Sequence, residues 1–311
     1  MPATLFDQPE LYRSLLESLP IGVYILDRER RVRFWNQGAE HLTGHLAHEA
    51  TGRDWTGHLV EPCDSKGRVL SGDECPVTAT LTHGHAQQFR AFYLHKNGHR
   101  VAVRGRTRAI LEHNDAIVGA IVLFEEAFVS CEEPSGPPMY GCLDPATGIP
   151  SHRLTRAVLS ECMAGMEQSQ QGFGVLRIRV LGLDEFRSKH GIQSAIPFLR
   201  TAAHTLRHSL DPENFLGRWG ADEFMAVLPS ASPVMAAATA ETIWSLVTHS
   251  EISWWGDRFP VKAVVSYTVA WPGDKLEKLL NGLEPAHAAA QGRAVGAAAS
   301  GRDPNPREDD V

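Results

Sequence analysis

The sequence predicts an α+β protein of two domains, with five strands around a helical middle in the first half and an α/β second half. Three observations lead there. The chain has 311 residues, enough for about two domains of ~100–200 residues. Strand-like runs alternate with short helical pieces up to Phe124, and longer helical stretches alternate with strands beyond it. Between them, Cys131–Pro150 reads CEEPSGPPMYGCLDPATGIP, whose Pro and Gly can continue neither a helix nor a central strand. The expected boundaries are a domain over 1–126, a linker over 127–143, a second domain over 144–295 and a disordered tail over 296–311. That tail, GAAASGRDPNPREDDV, has almost nothing to bury.

Element by element, Leu11, Leu15, Leu16 and Leu19 space out an amphipathic helix. Ile21–Asp27 and Arg30–Asn36 then read as a hairpin turning at Arg28-Glu29. Asn36 can cap the helix of QGAEHLTG, which stops at Gly44. After a helical middle, Asn97-Gly98 joins two alternating segments, and AIVGAIVLFEE supplies the fifth strand around a possible ligand cavity. Arg100, Arg104, Arg106 and Arg108 share parity and line one strand face, opposite Val101, Val103 and Thr107. In the second half, a helix begins near Ser151 and GFGVLRIRVLGLDEF reads as a buried strand entering a turn. A helix over Gln193–Leu210, the strand pair of FLGRWGADEFMAVLPS and a helix over Val234–His249 follow. WWGDRFPVKAVVSYTVAWPGD is a further strand pair, with Trp254, Trp255 and Trp271 as core or interface aromatics, before a last helix over Lys275–Gln291.

Composition removes several classes of function. With 30 Lys+Arg against 37 Asp+Glu, the charge is 30 − 37 = −7. No long basic run offsets it, which argues against an electrostatic nucleic-acid binder. No apolar run approaches the ~18–20 residues of a membrane span, and the N-terminus lacks the basic leader and apolar core of a signal peptide. Five cysteines, an odd and sparse set, fit a reducing compartment, so the expected location is the cytoplasm.

Over residues 8–126, LPIGVYILDRERRVRFWNQGAEHLTG, the LHKNGHRVAVRGRTRAI hairpin and the closing GAIVLFEE resemble the PAS sensor family. The resemblance implies a five-stranded antiparallel sheet with flanking helices that binds haem, flavin or a metabolite, or dimerises. Candidate ligand residues are Cys63 and Cys75, twelve residues apart, with His58. Thiolates and imidazole together could hold a metal, a cluster or haem iron. The other reading has Cys75-Pro76 opening a helix and Cys63 as a small, partly buried residue. The PAS ligand stays open.

Arg218-Trp219-Gly220-Ala221-Asp222-Glu223-Phe224 is a turn of small and acidic residues between strands. Small residues let backbone approach a ligand, and adjacent carboxylates can ligate Mg²⁺ beside phosphates. Together with DPATGIP, LDEF, SYTVA and QGRA, this turn resembles the GGDEF family over residues 140–295. That implies a nucleotidyl-cyclase-like α/β domain making cyclic di-GMP from two GTP across a dimer, with Mg²⁺ neutralising charge. Carried over, Asp222 is the metal-binding acid and Glu223 the acid beside it, both catalytic if the site is active. Gly220 is the first turn glycine and Ala221 replaces the second, where its methyl could obstruct guanine or a positive φ. The strand-end metal acid falls at Gly182, leaving Asp184 as the other candidate metal ligand. Ala195-Ile196 stands where Gly-Asp is expected, the guanine-reading Asn has no match, and Asp211–Asn214 does not match the product-inhibition motif. Near the end, Ala289 replaces the phosphate Lys while Arg293 is kept for nucleotide binding.

Two functions follow, beside a third reading as a purely structural dimerisation protein that would bind no nucleotide. In one, PAS sensing or dimerisation is coupled to a degenerate GGDEF domain serving as a regulatory or nucleotide-binding module. In the other, the chain is an active or weak diguanylate cyclase using GTP and Mg²⁺. Loss of one electrostatic contact to a transition state costs ~10²–10³ in rate, and several are missing, which favours the first. The expected partners are a second copy of the chain and a protein of cyclic di-GMP signalling. Glu132–Pro138 cannot form the coiled-coil helix that commonly joins such domains.

Overall fold

The computed structural model describes residues 9–55, 59–112, 115–127, 142–255, 257–283 and 299–300. The chain divides into two units, Met1–Val129 and Ser130–Val311, each with its own core.

In the first unit, α1 (Pro9–Glu17) precedes the hairpin of β1 (Gly22–Asp27) and β2 (Val32–Trp35). The hairpin turns through Arg30 at φ 62°, held by the Asp27 carboxylate, which accepts from Arg31 N at 2.8 Å and Arg33 Nε at 2.7 Å. Asn36 caps α2 (Gln37–Thr43), accepting from Ala39 N at 2.8 Å, and Gly44 ends it in the left-handed region at φ 74°. The helical middle consists of α3 (Ala47–Ala50) and α4 (Pro76–His83). The strands β3 (Gln87–Leu94), β4 (Arg100–Leu111) and β5 (Ile117–Glu126) complete an antiparallel sheet of order β2-β1-β5-β4-β3.

One face of this sheet carries Leu26, Tyr93, Val101, Val103, Val122 and Phe124 into the core. Arg104, Arg106 and Arg108 point outward, as their parity predicts, but Arg100 of the same parity is buried. Its Nη1 donates to the Glu61 carbonyl at 2.6 Å, because the segment before Cys63 covers that end of the strand. Where the sequence suggests a cavity, the interior is filled by Tyr24, Trp35, Trp55, Tyr93 and Phe124, all fully buried. Tyr24 stacks on Trp35 at 5.4 Å and meets Phe124 edge-on at 5.6 Å, while Tyr93 lies 5.3 Å from Phe124.

In the second unit, α5 (His152–Ser169) leads into the central strand β6 (Phe173–Leu181), followed by α6 (Leu183–His190) and α7 (Ala195–His208). Then come β7 (Phe215–Arg218), β8 (Glu223–Leu228), α8 (Pro233–Thr248), β9 (Glu251–Trp254), β10 (Asp257–Pro260) and β11 (Lys262–Ala270). A last helix, α9 (276–283), and β12 (Ala299–Ser300) complete the described residues. The sheet order is β12-β11-β6-β8-β7, with helices on both faces. Leu176, Ile178 and Val180 of β6 pack with Phe198, Leu206, Ile243 and Val247 on one face. On the other face, Val175 packs with Leu159, Met166, Met225 and Leu283.

Four features differ from the sequence reading. Leu183–Phe186 opens a helix instead of ending a strand, because Gly182 at φ 90° breaks β6. Asp184 and Glu185 in the first turn, with Arg187, Lys189 and His190 in the last, also suit the helix dipole. The sequence around Trp254-Trp255 forms a separate two-stranded hairpin, β9–β10. Trp254 packs against the core, but Trp255 at the tip has φ 53° and is 91% exposed, so it is no core residue. Finally, within the tail expected to be disordered, Ala299–Ser300 pairs in parallel with Ser266 and Tyr267, using the open edge of β11. Residues 128–141 of the expected 127–143 linker and the end of the last helix lie outside the described residues.

Candidate functional site

The acidic turn spans Trp219–Asp222, between β7 and β8. Trp219 N and Gly220 N both donate to the Glu223 carbonyl, at 2.8 and 3.1 Å, and Val180 N donates to the Asp222 carbonyl at 2.9 Å. Arg218 staples the turn: its Nη2 donates to the Ala221 carbonyl, and its guanidinium lies 4.9 Å from the centre of the Phe224 ring. Burial pushes the Arg218 pKa down, against the opposing pull of Asp144 and Asp222. Asp144 in turn accepts from Thr147 N and Oγ1 at 2.9 and 2.7 Å, and Arg218 N donates to the Pro150 carbonyl at 2.8 Å. DPATGIP is thereby fastened to the strand that carries the turn. Neither Gly220 nor Ala221 has a positive φ, so the expected backbone obstacle at Ala221 does not arise. The exposed methyl sits on an ordinary turn.

The two carboxylates beside that turn face arginines. Glu223, with a side chain only 7% exposed, accepts on Oε2 from Arg177 Nη2 at 2.9 Å and Nε at 3.2 Å. Its Oε1 lies 2.5 Å from Arg179 Nη2. Asp222 Oδ2, half-buried, lies 3.7 Å from Arg179 Nε. The signal for these two arginines is present in GVLRIRVL: charged residues at i and i+2 in an apolar strand must share one face. The sequence reading did not use it.

These donors do not fit a divalent-metal pair. Asp184 stands on the first turn of α6, its side chain 89% exposed and 3.1 Å from Arg187. Gly182 offers no ligand; a Cβ there would meet nothing within 4 Å, but the φ of 90° is a backbone conformation that an acidic residue would strain to adopt. Among the described residues, no three His, Cys, Asp or Glu side chains cluster to hold a metal ion. The segment expected to read guanine instead presents Ile192 and Ile196 to solvent. Arg293 and Ala289 lie outside the described residues.

In the first unit, Cys63 and Cys75 are both buried and neither forms a disulfide. Burial pushes the Cys63 thiol up to about 11, so it stays protonated at neutral pH. Its backbone pairs with Phe92, N to O at 3.0 Å and O to N at 2.9 Å, tying a loop to the sheet. Cys75 occupies the N-cap position of α4, before Pro76. His58 lies outside the described residues. The Tyr24 and Tyr93 hydroxyls meet at 3.1 Å, and burial raises both pKa values. An open groove of about 810 Å³ lies elsewhere, lined by Gln88, Arg90, Arg104, Arg106, Leu123 and Glu125.

A helix-sandwiched sheet with an acidic turn between β7 and β8 defines a nucleotidyl-cyclase-like domain, and the other unit is of the PAS sensor type. Residues 142–291 match the family described as diguanylate cyclase, GGDEF domain, and residues 10–74 match the PAS domain family. The chain thus carries a PAS domain followed by a GGDEF domain, the make-up of a signal-transduction protein of the cyclic di-GMP type. Among solved structures, it is similar to the GGDEF domain of DgcB from Caulobacter crescentus in complex with c-di-GMP. That match is 15% identical, covers 54% of this chain and 100% of that one, and has a TM-score of 0.51, which establishes the fold. Diguanylate cyclase SiaD in complex with its activator SiaC from Pseudomonas aeruginosa matches at 21% identity, over 51% of this chain and 62% of that one, with TM-score 0.49. The FimX GGDEF domain from Pseudomonas aeruginosa matches at 16%, over 50% and 96%, with TM-score 0.48. No curated protein matches the chain.

Proposed function

We propose that this chain is a regulatory protein in which the GGDEF domain is kept as a degenerate, non-cyclising module under the PAS domain. The observation that carries the reading is the broken donor set. Gly182 stands at the strand end, and Asp184 faces solvent beside Arg187, away from any cluster of metal ligands. Condensing two GTP needs cations held against the phosphates at the moment of reaction, and these residues do not provide for that. Asp222 and Glu223 then serve the turn structurally, while Gly220, Ala221 and Arg293 are what remains of a nucleotide surface.

The PAS domain is read as an interaction or dimerisation module, because aromatic side chains fill its interior. Its partners would be a second copy of the chain and a protein of the same signalling system, and its location the cytoplasm. No helix among the described residues is long and apolar enough to cross a membrane. The test incubates the full chain at high concentration with GTP and Mg²⁺ or Mn²⁺, beside Asp222→Ala, and assays cyclic di-GMP. No product from either is expected. Product that disappears in the variant would establish the cyclase reading, with GTP and Mg²⁺ as substrate and cofactor.

A further inference from the structure

Arg177 and Arg179 lie two apart on β6, on the face opposite the core residues Leu176, Ile178 and Val180. Arg179 is directly opposite Glu223 in the β6–β8 register. The sheet therefore delivers two guanidiniums to the carboxylates beside the turn. Two arginines, always protonated, meet Glu223 and Asp222, while Arg218 is shared electrostatically between Asp222 and Asp144. A single divalent cation would carry the same +2.

The geometry leaves such a cation no room electrostatically. Both Glu223 oxygens are taken, Oε2 by Arg177 Nε and Nη2, and Oε1 by Arg179 Nη2 with Arg177 Nη2 at 3.3 Å. A metal would have to displace a guanidinium from a carboxylate that is largely out of water. The displaced charge would remain within a few ångströms, where like charges repel strongly at reduced dielectric. The carboxylate, for its part, needs a cation at all times, because burying it alone is costly.

We infer that Arg177 and Arg179 are resident counter-cations that take the place of a divalent metal beside the GGDEF turn. The turn is thus held in its folded form without metal and is refractory to metal. This rests on the reading of the domain as non-cyclising, and it adds that the cation requirement has been transferred to the protein.

The test is direct Mn²⁺ binding to the full chain, read as loss of the free-Mn²⁺ signal by electron paramagnetic resonance. The native chain is expected to show no saturable site that Asp222→Asn removes. Arg177→Met/Arg179→Met should gain one, about tenfold tighter or more, the scale on which ligand charge tunes divalent affinity. That site should vanish when Asp222→Asn is added, and Mn²⁺ should raise the Tm of the arginine variant but not of the native chain. Because removing both guanidiniums strands Glu223, Arg179→Met is measured beside it. It keeps the Arg177–Glu223 pair and removes the guanidinium nearest Asp222, leaving only the pull of Arg218, so it should gain Mn²⁺ affinity in the same direction. An Asp222-dependent Mn²⁺ site in the native chain would overturn the inference, as would folded arginine variants that bind no more tightly than native. A native chain that binds Mn²⁺ yet makes no cyclic di-GMP would sink the counter-cation inference alone and leave the proposed function standing.

Discussion

Glu223 and Asn36 each hold several partners at once, and that makes them the residues whose loss the fold should feel most. Glu223→Gln keeps the shape of the side chain but removes the charge facing Arg177 and Arg179. Breaking a buried pair by removing one partner costs about 3–5 kcal/mol. Arg179 is a third exposed and can rehydrate, so the loss should fall at or below the lower end of that range. The midpoint of urea unfolding for the second unit checks it; an unchanged midpoint would mean the cluster contributes nothing. Asn36 is fully buried. Its Oδ1 accepts from Val23 N and Ala39 N, both at 2.8 Å, and its Nδ2 donates to the Leu16 and Ile21 carbonyls at 2.9 and 3.0 Å. Asn36→Ala should cost about 2–4 kcal/mol, combining a lost cap with stranded buried donors. Stability measured by chemical denaturation would show it. The cap on Ala39 was readable from Asn36 and Gly44 alone, since capping is settled within four residues. The bonds to Leu16 and Ile21 were not, because they join segments up to twenty residues apart.

Between elements, the clearest ionic tie joins α3 to the loop between β3 and β4. Lys96 Nζ contacts both Glu49 oxygens at 2.7 Å, and Glu49 also accepts from Leu46 N at 3.1 Å. The Lys96 hydrogen bond, then the Leu46 amide, lower the Glu49 pKa from 4.5 to about 2. A depressed folded pKa stabilises the fold above the unfolded value, and that contribution is lost as pH falls through the folded one. Its window therefore runs from 4.5 down to about 2. Lys96→Met should move the Glu49 titration, followed by NMR, upward toward 4.5. It should also flatten the pH dependence of Tm within that window. A Glu49 titration that does not move would show that Lys96 is not the cause. Element boundaries show how far local signals reach. LGLDEF reads as a buried strand entering a turn, whereas the positive φ of Gly182 ends β6 and lets α6 begin there. Whether Trp255 is a core or an interface aromatic is likewise open in the sequence, and its place at the hairpin tip leaves only the second.

For the whole molecule, the expectation is that no cyclic di-GMP forms. That reaction needs two nucleotides and cations brought together, so it samples many contacts at once. Each missing electrostatic contact costs ~10²–10³ in rate, and on the proposed reading both the strand-end acid and the guanine-reading segment are missing. Activity above background in the native chain, abolished by Asp222→Ala, is the result that would reverse this. The two units rest on separate cores, one built around aromatic rings and the other around aliphatic side chains of a central strand. Each core therefore accounts for its own unit, and a substitution in one should be read first in that unit.

Much of the succession of elements, the capped helix at Asn36, the acidic turn at Gly220–Glu223 and the resemblance to two families are legible in the residues alone. These depend on residue type and on spacing within a few positions, where backbone sterics and periodicity act. Tertiary structure alone decided which charges answer Asp222 and Glu223, how the interior of the PAS unit is filled, and where Asp184 points. Arg177 and Glu223 are 46 residues apart. Their meeting depends on the β6–β8 register, which is set by burial over whole strands and not by any local preference.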